Sequence, residues 1–163
     1  MSHFFKIKLD DKNALAVGFQ YRFEENFVKG EETELRFTEE YTYSIQPKVT
    51  EFEFRLRAEQ RITSSTTSHR LKYNIATSRS FKGGDIDSGY AYIFGGLETF
   101  FTLAKTSKPE YEQRIGAGVG WVLNNYIKLE LIMEYRITNF TQNLSHELFL
   151  VSGMKFTLDP ISS

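Results

Sequence analysis

Cysteine is absent from the 163 residues, which removes disulfides, thiolate nucleophiles and the commonest zinc ligands. Only 3 histidines are present and they stand singly, so little remains from which to build a soft-metal site, and no cofactor is expected. Charge of one sign is lacking as well. The 20 basic residues are interleaved with 21 acidic ones, so no basic stripe tracks a phosphate backbone and nucleic acid is not an expected partner. No apolar run reaches the roughly 18 residues of a membrane helix. That excludes helical spans alone, because a barrel strand crosses in about 9–11 residues of alternating character. The segment Met1-Ser2-His3-Phe4-Phe5-Lys6 lacks the basic start and long apolar core of a secretory leader. Either the chain is cytosolic or a leader has been removed from it.

What is present is aromatic and alternating. A composition of 40% hydrophobic and 15% aromatic residues is ample for one folded sheet domain over residues 1–163 and too rich for disorder. The clearest stretch is Thr50 to Ile62. Glu51, Glu53, Arg55, Arg57, Glu59 and Arg61 alternate there with Phe52, Phe54, Leu56, Ala58 and Ile62, and only Gln60 breaks the apolar row. A strict period of two is a strand with two nearly pure faces. Its charged face can satisfy itself by charge-assisted hydrogen bonds to similar faces on neighbouring strands.

The same pattern runs along the chain. Phe4 to Leu9 reaches a polar turn at Asp10 to Asn13, and Leu15, Val17, Phe19, Tyr21 and Phe23 follow as a hairpin partner. Lys29 to Glu32 breaks the alternation before Leu35, Phe37, Tyr41, Tyr43 and Ile45, with Glu39 intruding on the apolar row. Gln46-Pro47-Lys48 is a tight reversal. Ser64 to Ser68 is a loop, Leu71, Tyr73 and Ile75 form the next strand as far as about Phe81, and Gly83 to Gly89 is the most flexible connection. In Tyr90 to Leu103 the pair Gly95-Gly96 predicts a bulge. Lys105 to Glu110, containing Pro109, is expected to turn the chain before Gln113 to Leu123. Asn124-Asn125 suits a two-residue hairpin, Ile127 to Ile137 follows, and after a turn over Thr141 to Asn143 the residues Leu148, Leu150, Met154, Phe156 and Leu158 line the last strand. Nine strands and no helix make an all-β fold, an antiparallel up-and-down β-barrel of about 8–10 strands.

Alternation does not say which face is inside. A membrane barrel turns its apolar face outward, and a soluble barrel turns it inward. Dense rows of balanced charge suit a narrow lumen better than a solvated exterior, because unpaired ions there would cost several kcal/mol. The expected lumen network comprises Arg22 and Glu24, Arg36, the row Glu53, Arg55, Arg57, Glu59 and Arg61, then Arg70 and Lys72, Glu98, Arg114, and finally Glu130, Glu134 and Arg136. Tyrosines and phenylalanines near strand ends, among them Tyr21, Tyr41, Tyr43, Tyr111, Tyr135 and Phe140, would form interfacial girdles. The membrane barrel is the leading reading, and a soluble barrel holding a small apolar ligand is the alternative.

Arg55-Leu56-Arg57-Ala58-Glu59-Gln60-Arg61, His69-Arg70-Leu71-Lys72-Tyr73, Glu98-Thr99-Phe100, Gln113-Arg114 with the Gly116, Gly118, Gly120 series, and His146-Glu147-Leu148 together resemble the strands of the bacterial family catalogued as domain of unknown function 2490. The resemblance covers roughly Phe19 to Leu158. It implies an outer-membrane β-barrel of a Gram-negative bacterium without an established activity. Its partners would be the lipid bilayer and other outer-membrane proteins, and its role structural or interactive, with a narrow pore as a weaker variant. Bacterial outer-membrane barrels have even strand numbers. The nine strands therefore lead to the expectation of a leader and a further strand before Met1, or of Phe4 to Leu9 pairing with Ser145 to Leu158.

Several enzymatic motifs are outweighed by plainer readings, and no enzyme is expected. Ser68-His69 and Ser145-His146 offer a hydroxyl beside an imidazole, but neither has an acid in fixed register. Asp85-Ile86-Asp87-Ser88-Gly89 supplies alternate oxygens for calcium without a distal bidentate glutamate. The paired glutamates that a glycosidase needs each have an arginine two residues away, which disfavours a protonated acid. Basic rows could select anions, although in so small a barrel long side chains would fill the lumen.

Overall fold

Period-two alternation produces strands nearly everywhere it occurs. The computed structural model describes residues 2–22, 33–82, 90–105, 107–124, 126–140 and 143–156. Among them are nine strands: β1 (Ser2–Lys8), β2 (Asn13–Arg22), β3 (Glu34–Ile45), β4 (Thr50–Ile62), β5 (Thr67–Ser80), β6 (Ala91–Ala104), β7 (Ser107–Asn124), β8 (Ile127–Thr138) and β9 (Ser145–Phe156). They form one sheet in sequence order, each strand antiparallel to the next. The expectations for Phe23, Glu24, Lys29 to Glu32, Gly83 to Gly89, Asn125, Thr141, Gln142 and Leu158 lie outside the described residues.

The short turns are set by local side chains. Asp10 Oδ1 accepts the backbone N–H groups of Lys12 and Asn13, both at 2.8 Å. The Lys12 N–H, then the Asn13 amide, hold the Asp10 carboxyl below its ordinary range. Lys48 adopts φ 61° after Pro47, and Thr50 N–H closes that reversal on Pro47 O at 3.4 Å. Asn124 Oδ1 accepts from the N–H groups of Tyr126 and Ile127 at 2.9 Å, an Asx turn that takes the chain from β7 to β8.

Three expectations are corrected. Gly95-Gly96 is not a bulge: β6 keeps register through it with both β5 and β7, and its irregularity lies between Thr102 and Ala104. Tyr92, Phe94 and Phe100 stand on the polar face of β6, and these aromatics disguise an alternation that never shifts. Pro109 does not lie in a turn but within β7. It sits opposite the irregular stretch and before β8 begins to pair at Gln113, where a missing N–H disturbs little. The barrel is not closed. Among the described residues β1 pairs with β2 alone and β9 with β8 alone, so Phe4 to Leu9 does not meet the last strand. With nine alternating strands, β1 and β9 run in the same direction and cannot form an antiparallel seam.

The sheet curls so that its charged face is concave. Glu59 and Thr38 on that face are 7% and 4% exposed, whereas Leu71 and Leu150 on the other are 47% and 74% exposed. The buried hydrophobic residues among those described are Ala14, Tyr92, Phe100 and Val122; by register Tyr92 and Phe100 share the concave face with the charges.

Candidate functional site: the charged concave face

A strand turns residues i and i+2 to the same side, and four strands use this to pair a glutamate with the arginine two residues later, β4 twice. Arg36 meets Glu34 at 2.5 Å, Arg55 meets Glu53 at 2.5 Å, Arg61 meets Glu59 at 2.6 Å, Arg114 meets Glu112 at 2.6 Å and Arg136 meets Glu134 at 2.5 Å. The expected bonding between strands is present too, but on fewer residues. Arg57 on β4 reaches Glu40 on β3 at 2.5 Å, directly across the ladder, and lies 3.7 Å from Glu59. Arg55 lies 3.6 Å from the other oxygen of Glu40. Glu40 therefore gathers Arg55 and Arg57, and Glu59 gathers Arg61 and shares Arg57.

Farther round, Lys72 pairs with Glu98 at 2.7 Å, and Asn74 donates to the same carboxylate at 3.1 Å. Arg70 donates to Thr102 Oγ1 at 3.0 Å. Three cations surround the buried ring of Phe100: Arg114 at 4.6 Å, Lys72 at 5.0 Å and Arg70 at 5.1 Å from its centroid. Cation–π attraction of this kind strengthens where water is excluded. Arg136 lies 4.3 Å over Phe149 in the same way. Glu130 accepts from Tyr92 Oη at 2.7 Å and from Lys155 at 2.8 Å.

Of the residues expected in the lumen, Arg36, Glu53, Arg55, Arg57, Glu59, Arg61, Arg70, Lys72, Glu98, Arg114, Glu130, Glu134 and Arg136 all stand on this face. Arg22 lies opposite Glu34 in the β2–β3 ladder, and Glu24 is outside the described residues. Sequence reasoning left out Glu34, Glu40 and Glu112, which parity alone would have added. It also left out Tyr92 and Phe100, for which the only signal was unbroken parity through Gly95-Gly96.

The serine–histidine pairs are not assembled. Adjacent strand residues point to opposite faces, and His146 instead bonds Tyr135 Oη at 2.7 Å on the outer side. No three metal-ligating side chains converge among the described residues. Near the β7–β8 turn the concave face holds a recess of about 370 Å³, lined by Glu51 and Glu53 of β4, Ser78 of β5, Tyr92 and Phe94 of β6, Lys128 and Glu130 of β8, and Lys155 of β9.

No curated protein and no solved structure matches the chain. A family model described as protein of unknown function (DUF2490) matches residues 1–147. That span starts earlier than the resemblance read from Phe19 onward, takes in β1 and ends early in β9. It contains every one of the five glutamate–arginine pairs, and on it the chain belongs to the DUF2490 family.

Proposed function

We propose that this protein is an outer-membrane β-barrel component of a Gram-negative bacterium, with its apolar face against acyl chains and its charged face inward. Its role in this reading is structural or interactive rather than enzymatic. The observation that supports it is the inverted exposure of the two faces. A large apolar side chain left in water forgoes about 1.5–3 kcal/mol of burial, and exposed side chains such as Phe19, Leu71, Ile93, Ile115, Leu131 and Leu150 stand on the outer face of the sheet from β2 to β9. In hydrocarbon the same side chains cost nothing, and the balanced ion pairs shielded behind them avoid lipid altogether. An apolar ligand inside a soluble barrel would need the faces reversed, so the alternative is not favoured.

Open strand edges are not tolerated in lipid. One strand running antiparallel to both β1 and β9 would satisfy both edges and bring the number to an even ten. The interior is occupied by paired arginines, glutamates and aromatic rings, which favours a plugged lumen over a conducting one. The test is the need for detergent. Protein extracted from membranes should stay monodisperse only in detergent and should change gel mobility on heating; recovery as a monodisperse species in plain buffer would overturn the reading.

A further inference from the structure

Most charges on the concave face have partners of opposite sign, and the exceptions in the recess near the β7–β8 turn are informative. Glu53 is held by Arg55 at 2.5 Å, and Glu130 is held by Lys155 at 2.8 Å. Among the described residues Glu51, on the β4 wall, has only the Ser78 hydroxyl, donating at 3.3 Å. Lys128, half-buried on the β8 wall, has no carboxylate within 4.0 Å among the described residues. The recess thus presents a carboxylate without an ion-pair partner on one wall and, on the other, an ammonium that attracts Glu130 from beyond ion-pair distance, with Tyr92 and Phe94 between them.

We propose that this recess binds a small zwitterion, with the ligand's ammonium group on Glu51 and Ser78 and its carboxylate or phosphate on Lys128. Each end would form a charge-assisted hydrogen bond, and the aromatic side chains would cover the carbon link between them. A free amino acid and a phosphoethanolamine headgroup share this chemistry. A molecule carrying only one of the two charges would leave the opposite wall as it is. The inference needs only the concave charged face and does not depend on whether the outer face meets lipid.

The test is calorimetric titration of the folded protein with glycine and with phosphoethanolamine, alongside ethanolamine and inorganic phosphate as single-charge controls. At least one zwitterion should bind tenfold or more tightly than either control. Glycine alone would identify a free amino acid as the ligand class, and phosphoethanolamine alone a headgroup. Glu51→Gln and Lys128→Met should each weaken binding about tenfold, corresponding to about 1.4 kcal/mol. The exchange Glu51→Lys with Lys128→Glu should restore it, because a zwitterion can reverse in the site. Far-ultraviolet dichroism of each variant separates lost binding from lost fold. Equal affinity for the controls, binding of neither zwitterion, or indifference to both single substitutions in folded protein would overturn the proposal.

Discussion

Tyr92 reaches across an entire strand to donate to Glu130 at 2.7 Å, and Gly120 is what lets it pass. In the ladder Tyr92 lies opposite Gly120, and Gly120 lies opposite Glu130. The ring occupies the space a side chain at 120 would take. A Cβ there would collide with the Tyr92 ring, and one at Gly118 would collide with Phe94 and the Leu131 carbonyl. Gly120 and Gly118 of β7 are therefore berths for Tyr92 and Phe94 of β6.

Gly120→Ala should displace the Tyr92 ring, break its bond to Glu130 and destabilise the fold by about 1–3 kcal/mol, as overpacking does. Gly153→Ala, on the same ladder row in β9, meets nothing within 4 Å and should stay within about 0.5 kcal/mol. Denaturant midpoints of the two variants, measured in the same detergent, check the contrast.

Arg57→Ala should cost about 3 kcal/mol, the low end of the range for breaking a shielded ion pair. Glu40 would lose its partner at 2.5 Å and retain, among the described residues, Arg55 at 3.6 Å and the Thr42 hydroxyl at 3.4 Å. On a solvated surface the same change would cost well under about 1 kcal/mol. Adding Glu40→Gln to Arg57→Ala should recover part of the loss, and a double-mutant cycle on unfolding midpoints reads the coupling directly.

Leu131→Arg tests the outer face. In lipid a cation near the middle of a strand should cost about 2–4 kcal/mol, and folding yield into vesicles should fall. If that face meets water, the substitution should leave stability unchanged and reduce aggregation.

The strands were legible because alternation is a local property that tertiary structure seldom overrides when both faces are as pure as in β4. The side of the sheet on which each charge sits was legible for the same reason. Partner choice was not, since in-strand pairs such as Glu59 with Arg61 and cross-ladder pairs such as Glu40 with Arg57 satisfy parity equally, and only register decides between them. Tyr92 and Phe94 on the polar face of β6 were hidden because glycines on the next strand, rather than anything within β6, make room for them. The open seam between β1 and β9 follows from an odd strand count, whereas the expectation of closure came from what membrane barrels require.

Trp121 is the single tryptophan of the chain, and it stands on the outer face, 46% exposed. It therefore reports on the central claim without a label. After folding into phospholipid vesicles, its fluorescence should be quenched by acyl chains brominated along their length and be insensitive to aqueous iodide. Full quenching by iodide with no effect of the brominated lipid would contradict the assignment of the apolar face to the bilayer.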